Sequence, residues 1–171
     1  MFSKVHSIGI LGVEGYPVVV EADVSEGLPG FTMVGYLSGA VREAQDRVRT
    51  ALKNSGFRLP ARKITVNLSP ADIRKEGTGF DLPIAVAVLA ATGLVDQSIL
   101  DTSVLVGELG LDGRIKPVSG ILSIVAAAGN AGKKRCFLPI PNVREGQIIG
   151  NIDIVGVEDI RELAGMLNDP D

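Results

Sequence analysis

Residues 82–91 run for ten positions without a single polar side chain. Asp81 stands before the run as a candidate N-cap, Pro83 falls in the first turn, and Gly93 follows the end, which together punctuate a helix. A helix that is apolar all round has no face to give to water and must be enclosed. It is too short for a membrane span, which takes roughly 20 residues. The remaining chain therefore has to wrap it in layers.

The flanking segments supply those layers. Residues 4–11 and 17–24 read as strands, the second with Val18, Val20, Ala22 and Val24 on one face and Val19, Glu21 and Asp23 on the other. The connection at 12–15 is short enough for a hairpin. Residues 31–34, 63–68, 104–108, 135–138 and 153–157 are further strands. Ser38 is expected to cap a helix running to about Asn54, with Val41, Ala44, Val48, Ala51 and Leu52 toward the core. Ser119 is expected to cap another, and residues 159–167 close the chain as an amphipathic helix. The alternation predicts a single α+β (α/β layered) domain over residues 1–167, with 168–171 beginning a linker.

Composition excludes several chemistries. The only His and Cys are His6 and Cys136, too few for a zinc site of Cys and His ligands or an internal disulfide. No G-x-S-x-G occurs, and no phosphate-binding G-x-x-x-x-G-K-[ST]. Gly129-Asn130-Ala131-Gly132-Lys133 comes nearest, but its spacing is wrong and Lys134 replaces the hydroxyl residue. No charged lead with an apolar run opens the chain, and the expected location is the cytoplasm.

A net charge of −3 argues against a general nucleic-acid coat protein but leaves room for local patches. Residues 41–63 hold seven cations against Glu43 and Asp46. Arg42, Arg49 and Lys53 fall within about 40° of one another on a helix, a stripe able to follow a phosphate backbone. The competing reading is a solvated helix face, with Asp46 pairing to Arg42 and Arg49. No aromatic interleaves with the stripe, so base stacking is not expected there.

Beyond Asn67 the pattern becomes specific. Asn67-Leu68-Ser69-Pro70-Ala71-Asp72-Ile73-Arg74-Lys75-Glu76-Gly77-Thr78-Gly79-Phe80-Asp81-Leu82-Pro83 closely resembles the N-terminal domain of the ComM/YifB family, the magnesium-chelatase-like ATPases. Gly15-Tyr16-Pro17, Gly27-Leu28-Pro29-Gly30-Phe31 and Arg47-Val48-Arg49-Thr50-Ala51-Leu52 carry the same resemblance. It implies the fold of the Lon proteolytic domain and of the RadA C-terminal domain, set beside an AAA+ ATPase module.

For the complete protein the resemblance implies a hexameric, ATP-driven DNA motor that promotes branch migration during natural transformation. ATP and Mg2+ would belong to the AAA+ module, and no cofactor to this chain. Its partners would be that module, further copies of itself, and single-stranded or branched DNA, with no membrane. Arg74 and Lys75 would line a pore or touch a neighbouring subunit, unless they pair with Asp72 and Glu76.

Proteolysis is not expected. Lon's nucleophile stretch falls on Lys75-Glu76-Gly77-Thr78-Gly79-Phe80-Asp81, which puts Gly79 where the serine would stand. After Gly120-Ile121 the position of Lon's lysine falls on Leu122. A serine–lysine mechanism needs a hydroxyl and an amine, and neither residue supplies one. Two rival functions remain: an oligomerisation scaffold that never meets DNA, and a partner-binding module of a chelatase-type ATPase.

Overall fold

The computed structural model describes residues 1–170; Asp171, the end of the expected linker, lies outside them. Strands β1 (Phe2–Leu11) and β2 (Glu14–Ser25) form an antiparallel hairpin with Leu11 opposite Glu14, so the turn is only Gly12 and Val13. β3 (Gly30–Val34), α1 (Gly39–Arg42), α2 (Ala44–Asn54), β4 (Lys63–Ser69) and the apolar helix α3 (Asp81–Ala91) follow. Then come β5 (Ser103–Leu105), β6 (Glu108–Leu109), β7 (Ile115–Lys116) and α4 (Ile121–Asn130). β8 (Arg135–Pro139), α5 (Val143–Gly146), β9 (Asp153–Val157) and α6 (Ile160–Asn168) complete the chain.

Seven strands make one mixed sheet in the order β3-β4-β2-β1-β5-β8-β9. The pairs β1/β2 and β2/β4 are antiparallel, and the other four are parallel. Alternation decides which face goes inside. Val5, Val18, Val20, Ala22, Ile64, Val66 and Leu68 join the core formed with α2, α3 and α6. Ile8, Val104, Cys136 and Leu138 form a second, smaller core against α4 on the opposite face. Every residue of α3 is buried, as its composition requires. Ser3 Oγ on β1 donates to the α3 carbonyl of Ala87 at 2.6 Å.

Three local expectations are corrected. The helix expected over 38–54 is two helices, broken at Glu43. Ser38 does cap the first, its Oγ accepting the Val41 N–H at 3.3 Å. At the break, Arg47 reaches back and donates to the Ala40 carbonyl at 2.7 Å. Ser119 is not a cap: Gly120 holds that place in a left-handed conformation (φ 79°), which leaves Ser119 one residue outside. The strand expected over 104–108 ends at Leu105, because Gly107 instead bonds the loop before α3.

Candidate functional site

A groove of about 410 Å³ opens between the loop ahead of α3 and the segment leading into α4. Gly107 ties it together, its N–H donating to Gly79 O and its carbonyl accepting from Leu82 N–H, both at 3.0 Å. Thr78, Gly79, Val106, Glu108 and Ser119 are among the lining residues. Gly79, at the expected nucleophile position, is not sterically required: an added Cβ would meet only Val118, at an ordinary 3.5 Å. Leu122 is 41% exposed and is not among the lining residues. The structure therefore does not bring the two dyad positions together in this groove. Among the described residues, neither Lys nor His lines it.

Beneath the groove lies the feature the sequence hid. Asp81 is the first residue of α3 and not its cap; Phe80 occupies the cap position without a side-chain bond. The Asp81 carboxylate turns away from its own helix toward Arg47, whose Nε and Nη2 donate to it at 2.8 and 2.9 Å. The Leu109 N–H adds a third bond at 3.1 Å. A forked guanidinium plus an amide binds a carboxylate better than one helix amide does, which explains the switch. Burial pushes the Asp81 carboxyl upward, while Arg47 and the Leu109 amide pull it back. This buried contact fixes α2, α3 and β6 to one another.

Lys75 is corrected as well. It is fully buried, with its Nζ donating to the carbonyls of Pro70 and, at 2.8 Å, Ile73. Its backbone bonds Tyr36 O and Ser38 N at 2.9 Å each, bolting this loop to the start of α1. It can neither line a pore nor reach a neighbouring subunit in this arrangement. Arg74 is half exposed and pairs with Glu76 at 2.9 Å.

The cationic stripe lies elsewhere. Arg42, Arg49 and Lys53 are all exposed, and none is ion-paired among the described residues, so the Asp46 pairs of the competing reading do not form. Arg49 carries a contact invisible in the sequence: its guanidinium lies 5.8 Å from the centroid of the Phe31 ring on β3.

The family profile described as "Subunit ChlI of Mg-chelatase" matches residues 20–142. The chain belongs to this family, on its ComM/YifB branch. It is 50% identical over 132 residues to YifB of Escherichia coli K12, covering 77% of this chain and 26% of that protein. To the competence protein ComM of Haemophilus influenzae it is 40% identical over 164 residues, 96% of this chain and 32% of ComM. A weaker likeness, 24% over 175 residues, joins it to Lon protease of Mycolicibacterium smegmatis, covering 95% of this chain and 22% of Lon. The ComM/YifB-type chain thus spans about a quarter to a third of the family relatives it matches.

The remaining candidates of this ComM/YifB-type domain are structural. His6 Nε2 sits 3.3 Å from Asp101 Oδ1, and burial and Lys133 hold its pKa low. No group of His, Cys, Asp and Glu among the described residues is placed to hold a metal ion. No helix of the described residues is long and apolar enough to cross a membrane. Cys136 is fully buried, and burial pushes its thiol up to about 12.

Between the ordinary thiol value and about 12, the folded state keeps a proton that the unfolded state has released. Rising pH therefore costs stability through that window. Cys136→Ala is expected to lose less stability than the wild type as pH climbs above about 9, measured by urea unfolding. At pH 8 a thiol reagent is expected to label the native chain only as fast as it opens. Complete labelling within seconds in native buffer would contradict the burial.

Proposed function

We propose that this chain is the non-catalytic N-terminal domain of a ComM/YifB-type AAA+ ATPase. On this reading it helps assemble the ring and contacts DNA during ATP-driven branch migration in natural transformation. The observation that carries it is that Arg42 at the end of α1 and Arg49 and Lys53 on α2 are all exposed and unpaired among the described residues. Exposed cations held by no carboxylate are free to meet the phosphates of a polyanion and release its counterions. The name of the ComM relative, a competence protein, favours DNA as that polyanion. Gly79 and Leu122 at the two dyad positions supply neither hydroxyl nor amine, in keeping with a protease fold turned to binding.

ATP and Mg2+ belong, on this reading, to the AAA+ module beyond this chain. The Gly129–Gly132 segment does not fit a triphosphate. Gly129–Gly132 lies at the C-terminal end of α4, where free carbonyls point outward. Phosphates are held by the amides of a helix N-terminus, the opposite pole.

The test is anisotropy of labelled single-stranded and four-way-branched DNA titrated with the chain across a salt series. Arg42, Arg49 and Lys53 changed together to Glu are expected to abolish binding. Neutralising the same three is expected to reduce the single-strand salt slope by about 2. Binding that survives the reversal would remove this face from the DNA path. No binding at low salt, with multimers on a sizing column, would instead establish the scaffold reading.

A further inference from the structure

A recess of about 280 Å³ lies beside the cationic face, between α2 and the segment that leads into β4. Its walls include Pro29, Phe31, Leu59 and Pro60, and both of its charged lining residues are arginines, Arg49 and Arg62. Neither arginine is ion-paired among the described residues, and no carboxylate lines the recess. Phe31 is itself buried, so the ring serves as the bed on which the Arg49 guanidinium rests.

Apolar walls with two cations at hand call for an occupant that is flat and hydrophobic on one side and anionic on the other. A free phosphate has no use for the walls, and an apolar peptide has none for the guanidiniums. A single nucleotide answers both. We propose that this recess takes one nucleotide of a single DNA strand, its base against Leu59 and the Arg49 guanidinium and its phosphate on Arg62. A planar guanidinium offers a base both a stacking surface and N–H donors, which an ammonium does not. Bases in a duplex are stacked and paired on themselves, so the recess selects unpaired strand.

The proposal rests on the DNA reading above, and its test separates the two. A labelled oligothymidylate and its abasic counterpart, matched in length and charge, are titrated against the chain. The base-bearing strand is expected to bind about tenfold more tightly, the effect of one stacked base. Arg49→Lys keeps the charge and removes the plane, and it is expected to erase that preference. Lys53→Gln, outside the recess, is expected to weaken both strands by the same factor. Equal affinity for the two strands, or a preference that survives Arg49→Lys, would overturn the recess and leave the DNA reading standing. Failure of both strands to bind at low salt would overturn the two together.

Discussion

Asp81→Ala is expected to destabilise the fold by about 4 kcal/mol, the usual cost of removing one partner from a buried ion pair. The loss has three sources. Arg47, whose side chain is only 21% exposed, keeps its charge with no counter-ion beside it. The Leu109 N–H loses its acceptor, and the space of the carboxylate opens beside α3. For a chain of this size that amounts to a drop of roughly 8–16 °C in melting temperature. The double variant Asp81→Leu with Arg47→Met should be more stable than Asp81→Ala alone, because an apolar pair leaves no stranded charge. Thermal melts of the wild type, Asp81→Leu, Arg47→Met and the double variant complete the cycle. An Asp81→Ala variant that melts within about 2 °C of wild type would mean the pair orients the helices without holding them.

Gly35→Ala is expected to cost about 3 kcal/mol, although it adds a single methyl group. Gly35 has φ +132°, a conformation L residues rarely adopt, and an added Cβ would stand 2.8 Å from the Leu68 carbonyl on β4. That oxygen belongs to the backbone of an interior strand and cannot turn aside as a side chain would. Gly39→Ala is the control, since its Cβ would meet nothing within 4 Å. Urea midpoints should fall sharply for the first and stay within about 0.5 kcal/mol of wild type, or rise, for the second. If both variants unfold together with wild type, the connection from β3 to α1 relaxes freely.

The elements were legible wherever a periodicity had a single use. The alternation of Val18, Val20, Ala22 and Val24 and the apolar run after Asp81 each translated directly into a buried face. Polar side chains were harder, because their partners are distant in sequence. Asp81 satisfies every local rule for a cap, yet Arg47, 34 residues away, outbids the helix amides. Lys75 looks like a surface cation beside Arg74, but two carbonyls of its own loop enclose it. Arg47 sits in the same basic run as Arg49, and only packing separates the inward residue from the outward one. The exposure of Arg49 and Lys53 was readable because helical spacing turns them away from Ala44, Val48 and Ala51, whereas Arg42 belongs to the separate helix α1. Phe31 could not be foreseen beside it, since nothing in the spacing says that β3 passes under α2.

The place of β1 in the sheet bears on how the chain is made. β1 lies between β2 and β5, so one of its edges is closed at once by the hairpin. Its other edge waits for β5, where His6 pairs with Val104, a long-range pairing that slows folding. A chain that stops short of β5 leaves that edge of β1 bare. A bare strand edge is a template for pairing with another chain and so a hazard for aggregation. Deletions that stop before Ser103 would preserve this state permanently, so fragments of the domain should be harder to keep dispersed than the whole.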